Sequence, residues 1–572
     1  MRRTVALLLA LVMVVLVGCT SKPAPTATPA PEPKKDMVIR INVGTDPKNL
    51  DPGISTGVPE ANIELQLYEG LMRLDKDGRA VPGLAAAMPE VKDGGATYVF
   101  KLRDGIKWSN GDPITAEDFV WSWKRALDPM TASEYSYQLY YIKGGEALNT
   151  IPLNKVDEKG KEILDANKKP TPRPDADVKA DIKKMADALG VKAVDAKTIE
   201  IKLEAPSPYF LSLLAFHTLR PVHRKTVEAN PTDFFRKPET MVTSGPFTLK
   251  SWAPKDKIVL VKNPGYYDAA KVKLDRIEYY LVDNETTVTQ MYESGQLDIV
   301  ESGVSNAELP RLKKEKPNDL KILPDLGTYY YRFNTTKAPT NDAKVRKALT
   351  LAIDRKAIVE NITKAGQIPA TAFVPSGIPD VSGDFRANGK DFFKDNDVEA
   401  AKKLLADAGY PDGKGFPKLT ILYNTSEGHK KIAEAIQEMW KKNLGITVEL
   451  TQQEWAVYLD SQAKLNYQVS RAGWIGDYID PMTFIDMWVT GGGNNQTGWT
   501  NKAYDDLVKK AKATDDQKIR MTAQHDAEKI LMDEMPIMPI YFYVRVRLVN
   551  PKVKNWAEPL TSGMDLREAF VE

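Results

Sequence analysis

A lone carboxylate among aromatic residues is the side chain of this sequence that most directly suggests chemistry. The stretch 471–481 reads RAGWIGDYIDP, with Asp477 three residues after Trp474 and glycines at positions 473 and 476. Three uses are open to such a residue. It can cap a turn, act as a catalytic acid, or serve as the counter-charge of a cationic ligand.

The motifs that would make this carboxylate part of an enzyme are missing from the sequence. A G-x-S-x-G pattern occurs once, at 53–57, but it follows Asp51 and Pro52 instead of the buried strand that a hydrolase nucleophile requires. None of the four histidines forms an H-E-x-x-H pattern, and the single cysteine cannot build a metal cluster. The segment 75–78 begins like a calcium loop, but apolar residues follow at the later ligand positions, so a hairpin turn is the better interpretation. We therefore predict no catalytic residue, no metal and no cofactor.

Length and charge bound the class of protein. The 572 residues include 79 basic and 77 acidic side chains, and removal of residues 1–18 would take away two arginines and leave 77 of each. This balance does not favour a nucleic-acid partner, which needs a clustered basic surface. The chain is too long for one hydrophobic core, so we expect two or three lobes, and one cysteine allows no internal disulfide.

The N-terminus has the pattern of an export signal. Two arginines precede an uncharged run over 5–18, which is too short for a spanning helix of about 20 residues but fits a secretory signal. The tripeptide LVG before Cys19 matches the lipobox of bacterial lipoproteins, the alternative being a buried free thiol in a short membrane anchor. We expect a signal peptide over 1–18, a lipid on Cys19, and a Pro/Ala/Thr-rich spacer over 19–36. The protein would then be extracytoplasmic, anchored to the cell membrane at the cell surface or the periplasmic face.

The segments around Asp477 alternate between helix and strand patterns. Apolar periodicity predicts helices over 398–409, 429–445 and 455–465, and strands over 418–424, 446–453 and 467–474. This alternation is typical of an α/β lobe. Asp477 then lies just beyond the carboxyl end of a strand, which is where open α/β sheets bind ligands.

Two earlier segments are also legible. The run over 95–127 combines an alternating strand, a turn at 109–112, and a capping box at Thr115–Asp118 that begins a helix. The charged, Pro-rich segment 153–181 has few apolar residues and is interpreted as a surface insertion.

Several segments together resemble the extracellular solute-binding proteins of ABC importers, specifically the oligopeptide- and dipeptide-binding family. The similar segments occur in the family's order and cover nearly the whole mature chain. The segment 98–129, YVFKLRDGIKWSNGDPITAEDFVWSWKRALDP, is the most diagnostic, and the insertion near 153–181 is the clear departure. The matching segments are 49–78, 98–129, 328–355, 422–455 and 471–481.

The resemblance implies a two-lobed, periplasmic-binding-protein-like (type II) α/β fold with an extra domain and a hinge between the lobes. The implied parts are a first lobe from 37–69, 194–327 and 542–572, an extra domain over 70–193, and a second lobe over 328–541. The implied function is capture of extended oligopeptides by a monomer that delivers them to the ABC permease subunits in the membrane. Alternatives are the same fold binding a dipeptide, an oligosaccharide or a metal complex, and, less favoured, a surface hydrolase.

The resemblance also implies which residues touch the ligand. Asp477 would take the peptide's ammonium, and Arg471 and His429 its carboxylate, while the others would line the cleft. The eight implied residues are Asp477, Trp474, Gly473, Arg471, Tyr135, His429, Val58 and Tyr330.

Each of these assignments has a structural alternative. Asp477 could merely cap the turn that follows it, a common use of aspartate. Arg471 could form an internal ion pair, and His429 could be a solvated histidine at a helix end. Trp474 and Tyr135 could belong to the hydrophobic core.

Overall fold

A computed structural model describes residues 36–158 and 160–572. The predicted signal peptide, Cys19 and nearly all of the predicted spacer lie outside the described residues. In the described ranges, no helix combines the length and the apolar character needed to cross a membrane.

The described residues form an α/β fold with 19 strands and 17 α-helices, in agreement with the predicted fold class. The strands are β1 Val38–Asn42, β2 Met72–Leu74, β3 Ala80–Pro82, β4 Glu90–Lys92, β5 Thr97–Lys101, β6 Val191–Asp195, β7 Thr198–Lys202, β8 Phe247–Ala253, β9 Lys257–Lys262, β10 Arg276–Tyr280, β11 Ile299–Val300, β12 Leu320–Phe333, β13 Ile368–Pro369, β14 Leu419–Asn424, β15 Val448–Gln453, β16 Val469–Ile475, β17 Ile537–Val549, β18 Val553–Lys554 and β19 Phe570–Val571. The helices are α1 Val58–Leu67, α2 Ala116–Leu127, α3 Gly145–Asn149, α4 Asp175–Asp187, α5 Phe210–Leu213, α6 Arg224–Ala229, α7 Glu285–Glu293, α8 Leu309–Glu315, α9 Ala343–Leu351, α10 Arg355–Ile358, α11 Phe385–Asn388, α12 Val398–Asp407, α13 Glu427–Leu444, α14 Trp455–Ala463, α15 Met482–Ile485, α16 Lys502–Lys512 and α17 Gln517–Glu534.

Two long antiparallel strands, β12 and β17, hold the main sheet together. The sheet has the order β15-β14-β16-β12-β17-β11-β1-β10-β9-β8, with β13 also paired to β17. The register between β12 and β17 shifts between Pro324 and Thr328. The predicted lobe boundaries at 327/328 and 541/542 therefore fall inside these two strands, near that shift, and the division into lobes remains a prediction.

A separate four-stranded sheet supports the predicted extra domain. Its order is β4-β5-β7-β6, and β7 pairs with both β5 and β6, so this sheet extends to Lys202, past the predicted boundary at residue 193. The capping box at the start of α2 is confirmed, because the backbone N–H of Thr115 donates to Asp118 Oδ2 at 2.7 Å and the Thr115 side chain accepts in return.

The segment predicted as an insertion has two parts. Residues 153–173 are mostly exposed and contain only isolated bridges, such as Asn154 with Pro172. The remainder belongs to helix α4, which the sequence analysis did not predict. The helix forms because Val178 is buried and Ile182 and Met185 pack against the main core at helical spacing.

Helix α13 is fixed at both ends and along one face. Its N-cap, Ser426, accepts a hydrogen bond from the backbone N–H of His429, and Gly445 ends it with φ +69°, a left-handed conformation that favours glycine. The buried Trp440 donates its indole N–H to Leu349 O at 2.8 Å. The first turn of the helix, which carries His429, is thereby held rigidly beside the sheet.

Strand β16 has a free edge over most of its length. It pairs with β12 from Val469 to Ile475, but on its other side β14 pairs only with Val469 and Ser470. Among the described strands, none pairs with that side of the segment 471–475. Arg471 O already accepts from the Tyr458 hydroxyl and from Gln462 Nε2. The edge is therefore open to an added strand from Gly473 onward, where the chain leads to Asp477.

Candidate ligand-binding site

A cavity of about 560 Å³ lies beside this free edge of β16. Its wall is built from the start of α1, the segment before Tyr135, strand β16, the first turn of α13 and the middle of β17. Seven of the eight predicted ligand-contacting residues line it. They are Asp477, Trp474, Gly473, Arg471, Tyr135, His429 and Val58.

Tyr330 is the exception, and the structure corrects its predicted position. Its side chain is fully buried and lies edge-on to Phe373 and Trp488, with ring centroids 5.2 and 5.7 Å away. It is not part of the cavity wall. It packs among these core aromatic residues and does not reach the cavity.

Asp477 is a buried acid without a cationic partner. Its Oδ2 accepts a hydrogen bond from Gln138 Nε2 at 2.8 Å, and its backbone N–H donates to Thr483 Oγ1 at 2.9 Å. The residue is 9% exposed, and no basic group in the described part of the chain lies within 4.0 Å of its carboxylate. Burial, reinforced by the nearby charge of Asp486, raises the pKa of Asp477 well above its usual range.

The turn after Asp477 is capped by a different residue. Asp480 Oδ1 accepts from the backbone N–H of Met482 at 3.0 Å, while Asp480 Oδ2 pairs with Arg520 at 2.7 Å. The capping alternative for Asp477 therefore fails, because its carboxylate is directed toward Gln138 and the cavity.

Trp474 and Tyr135 form an aromatic wall across the cleft. Their rings stack at 5.9 Å with an interplanar angle of 26°, and Tyr135 also contacts Phe216 at 4.9 Å. The buried indole N–H of Trp474 has no hydrogen-bond partner. Both residues are largely buried and line the cavity, so they combine a packing role with contact to the enclosed space.

Arg471 is a cation without an acidic partner. Its Nη2 donates to the Tyr543 hydroxyl at 2.9 Å, its Nη1 lies 3.3 Å from Asn424 Oδ1, and its guanidinium lies 4.7 Å above the ring of Tyr329. No carboxylate within the described ranges comes within 4.0 Å of it, so the internal ion pair proposed as an alternative is not found. Its Nε is buried and makes no hydrogen bond.

His429 lies on the other side of Tyr329. Its Nδ1 is 3.3 Å from the Tyr329 hydroxyl, and the ring is half-buried instead of being solvated at the helix end. Burial, together with the positive charge of Arg471, holds the pKa of His429 well below its usual range. The imidazole is therefore neutral near pH 7 and can offer a hydrogen bond but no charge.

Val58 and Gly473 shape the cavity without polar side chains. Val58 is the first residue of α1 and is 52% exposed at the cavity rim. Gly473 pairs with Tyr329, and a Cβ at this position would lie 2.4 Å from the Tyr543 hydroxyl. Only glycine leaves room for that hydroxyl and for a close backbone approach along the strand edge.

Three residues that contribute to the site were not predicted. Gln138 holds Asp477 from 339 positions away, Tyr543 holds Arg471 from 72 positions away, and Arg332 lines the cavity on β12. Arg332 lies inside a segment that resembles the family and could have been noticed as a charge among tyrosines. The other two have no local pattern that marks them.

The motifs considered for catalysis and metal binding have structural roles. The Ser55 hydroxyl donates to Glu64 Oε2 at 2.9 Å in a loop before α1. Asp75 Oδ1 accepts from the backbone N–H groups of Asp77 and Arg79 in the β2–β3 turn, so the predicted hairpin is confirmed. Within the described residues, no group of His, Cys, Asp and Glu side chains could hold a metal ion.

The fold and the site together define a class. An α/β chain joined by two long strands encloses a cavity beside the free edge of β16. Asp477, an acid without a cationic partner, lies at one end of that edge, and Arg471, a cation without an acidic partner, lies along it. Such a cavity suits an elongated solute that carries both charges. This is the arrangement of a solute-binding protein with a closing cleft.

Comparison with known proteins gives the family. Residues 79–496 match the bacterial extracellular solute-binding proteins, family 5 (middle region). The chain is 39% identical to the oligopeptide-binding protein OppA of Bacillus subtilis over 551 aligned residues, and the alignment covers 94% of each chain. The chain belongs to the family 5 extracellular solute-binding proteins of bacteria, the family to which the ABC-importer peptide-binding proteins belong.

Solved structures confirm the predicted type II binding-protein fold. The Haemophilus influenzae OppA complex with RPPGFSPFR has a TM-score of 0.82 at 33% identity, covering 94% of this chain and 99% of that one. The structure of the Escherichia coli murein tripeptide binding protein MppA also has a TM-score of 0.82, at 34% identity, covering 94% of this chain and 99% of that one. An unliganded open form of MppA has a TM-score of only 0.59 at 34% identity, covering 94% of this chain and 98% of that one. The described chain therefore does not have the arrangement of that open form.

Proposed function

We propose that this protein captures extended oligopeptides between two closing lobes and delivers them to the permease of an ABC importer. The observation that carries the proposal is the pair of uncompensated charges on one strand segment, Asp477 and Arg471. A peptide supplies both missing partners, because its ammonium pairs with the acid and its carboxylate with the cation. Charge-assisted hydrogen bonds of this kind contribute about 1.5–3 kcal/mol each.

The spacing of the two charges fits a short peptide. Asp477 and Arg471 are six positions apart, and a strand rises about 3.3 Å per residue, so their Cα atoms are at most about 20 Å apart. An extended peptide of about five residues spans this distance. His429, which shares Tyr329 with Arg471, is placed to add a neutral hydrogen bond at the same end.

The free edge of β16 supplies affinity that does not depend on the peptide's side chains. Segment 471–475 lacks a neighbouring strand on the cavity side, so the backbone of an added peptide can pair with it from Gly473 onward. The glycine at position 473 permits that approach. The proposal is also supported by the peptide complex of the Haemophilus influenzae relative.

The test is calorimetric titration of refolded, ligand-free protein with a pentapeptide and with its N-acetylated form. Asp477→Asn should weaken binding of the free-amino peptide by about 10- to 100-fold, because one charge-assisted bond is lost. It should leave the acetylated peptide unchanged. Asp515→Asn, at an exposed aspartate, is the matched control and should change neither affinity. Equal affinities for Asp477→Asn and the unmodified protein would refute the ammonium site.

The same preparation separates a receptor from a hydrolase. Mass spectrometry after incubation with a peptide pool should recover every peptide intact. Cleaved products would favour the surface-hydrolase alternative instead.

We also propose that Cys19 carries the lipid that holds the protein at the membrane. Support comes from the lipobox before Cys19 and from the family's extracellular location. Metabolic labelling with radioactive palmitate should mark the protein. Cys19→Ser should lose the label and release the protein from the membrane fraction, and a labelled Cys19→Ser protein would contradict the proposal.

A further inference from the structure

Helix α14 connects the strand that borders the cavity to the predicted first lobe. Gln462, near its end, donates from Nε2 to Arg471 O and to Ser470 Oγ, both at 2.9 Å, and so fixes the helix to β16. Other residues of the helix, and Glu454 just before it, contact residues of the predicted first lobe. The helix is therefore attached to one side of the cleft and touches the other.

Two ion pairs form the outer part of this contact. Lys48 Nζ lies 2.6 Å from Asp460 Oδ1, and Lys255 Nζ lies 2.9 Å from Glu454 Oε1. Both cations belong to the predicted first lobe and both anions to the predicted second lobe. The four side chains are 36 to 76% exposed, and none of the four residues lines the cavity. Their charges can thus act across the cleft without touching an enclosed ligand.

A buried hydrogen bond accompanies the two ion pairs. Glu60, on α1, is 1% exposed, and its Oε1 accepts from Trp455 Nε1 at 3.1 Å and from the backbone N–H of Lys48 at 2.6 Å. A Cβ at Gly57 would lie 2.8 Å from the Trp455 ring, so this ring packs directly against the chain before α1. The start of α14 is thereby in close contact with the predicted first lobe.

The two lysines are held in place by their own side of the cleft. Asp46 Oδ2 accepts from the backbone N–H of Lys255 at 3.1 Å, while its Oδ1 accepts from Trp252 Nε1 at 2.9 Å. Arg236 Nη2 donates to Lys48 O at 3.0 Å. Because their backbone positions are fixed, less conformational entropy is lost when the lysines pair with α14.

We propose that helix α14, with Glu454, is an electrostatic clasp that holds the cleft closed over its ligand and sets the rate of release. This inference rests on the proposed function, from which it takes the closing of two lobes. Opening the cleft would separate α14 from the predicted first lobe and break both ion pairs and the Trp455–Glu60 hydrogen bond together. Each exposed pair is weak by itself and is screened by salt, so release should depend on ionic strength.

The experiment measures the release of a fluorescently labelled pentapeptide by stopped-flow, with an excess of unlabelled peptide added to prevent rebinding. The double variant Lys48→Gln/Lys255→Gln removes both ion pairs, so we expect its dissociation rate to rise about 2- to 10-fold with little change in association. Lys197→Gln is the matched control, since Lys197 forms an exposed ion pair with Asp104 at 2.6 Å and neither residue lines the cavity. The control should release the peptide at the unmodified rate.

Exchange of the charges tests whether the pairing itself causes the effect. Lys255→Glu and Glu454→Lys each place like charges together, so each should speed release. The combined variant restores an opposite pair and should recover most of the slow release. Thermal unfolding of the ligand-free variants checks that each one folds.

Salt provides a test that needs no folded variant. The dissociation rate of the unmodified protein should rise between about 0.05 and 0.5 M sodium chloride, because screening weakens the exposed pairs. The rise should be smaller in Lys48→Gln/Lys255→Gln, which binds the same peptide but lacks both pairs.

The outcomes are distinguishable. A dissociation rate of the unmodified protein that does not change with salt overturns the clasp whether or not the variants fold. Unchanged release from the folded double variant also overturns it, and so does a combined charge exchange that releases peptide as fast as the single variants. If the labelled peptide does not bind the unmodified protein, the proposed function and the clasp both fail.

Discussion

Gln138 Nε2 donates to Asp477 Oδ2 at 2.8 Å, joining two buried residues that are 339 positions apart. Gln138 belongs to the predicted extra domain and Asp477 to the predicted second lobe. The Gln138 side chain is not part of the cavity wall, and its Oε1 is buried without a partner. Gln138 therefore holds the carboxylate from behind and leaves its open side to the cavity.

Gln138→Leu should weaken peptide binding although the residue does not touch the cavity. Loss of the hydrogen bond removes one of the few interactions that favour the charged carboxylate, so the pKa of Asp477 rises further. We expect the affinity for free-amino peptides at pH 7 to fall about 5-fold, since the net contribution of one hydrogen bond is about 1 kcal/mol. The acid limb of the affinity–pH profile should move to higher pH. An unmoved profile would show that Gln138 has only a packing role.

Asp477→Asn should stabilise the ligand-free protein at pH 7. Burial keeps the folded-state pKa of Asp477 above its unfolded value of about 4, so the folded protein binds the extra proton and stability falls as pH rises through that window. Asparagine cannot ionise, so it removes this loss of folding stability, which we expect to be about 1–3 kcal/mol at pH 7. Urea unfolding should show the gain at pH 7 and none near pH 3.5, below both pKa values. A lower urea midpoint for Asp477→Asn at pH 7 would contradict the assignment of an unpaired buried charge.

Arg471→Gln should discriminate between peptide termini. Arg471 has donors but no carboxylate partner, so a pentapeptide with a free carboxylate should lose about 10-fold in affinity. The same peptide with a C-terminal amide should be unaffected. Calorimetry with the two peptides checks this, and an equal loss for both would mean that the variant disturbs the site through Tyr329 or Tyr543.

Gly473→Ala should weaken the binding of all peptides to a similar extent. The new Cβ would lie 2.4 Å from the Tyr543 hydroxyl, so the tyrosine must move and its hydrogen bond with Arg471 is broken. We expect at least about a 10-fold loss for peptides with free or blocked ends, because the strand edge itself is obstructed. Gly265→Ala, where the nearest atom is 3.4 Å from the added Cβ, is the matched control. Unchanged affinity in Gly473→Ala would show that peptides do not approach this edge.

Glu285→Gln should reduce closure of the cleft. Glu285 Oε1 accepts from the backbone N–H of Gly428 at 2.9 Å, in the first turn of α13, where the helix dipole favours a negative charge. Replacement by the neutral amide should raise the dissociation rate of every peptide a few-fold in stopped-flow measurements, with little change in association. Glu438→Gln, at an exposed position of α13, is the control. A faster rate in both variants would indicate a general effect of charge.

The elements around the site could be predicted because their patterns are local. Helix α13 has apolar residues at helical spacing and a closing Gly445, and β16 has strand alternation. Helix α4 was missed, since its apolar residues are few and lie among charged ones. Its helical structure follows from packing against the core, which the local sequence does not show.

The site was only partly predictable for a related reason. Asp477 lies at a strand end and could be found from sequence, whereas Gln138 reaches it through the folded arrangement of distant segments. Tyr330 was misplaced because the run of three tyrosines, 329–331, carries no sequence signal that these side chains pack in the core instead of lining the cavity. Only the packing of β12 between its neighbouring strands decides that.

The free edge of β16 has a consequence for the behaviour of the empty protein. An unpaired strand edge is a template for association with other chains, and proteins protect such edges by covering them. Here the protection is the depth of the cleft, since segment 471–475 lies inside the molecule beside the cavity instead of on its outer surface. The same backbone groups that would bind a peptide are thus shielded from pairing with other copies of the chain, and the solubility of the empty protein depends on the shape of the cleft.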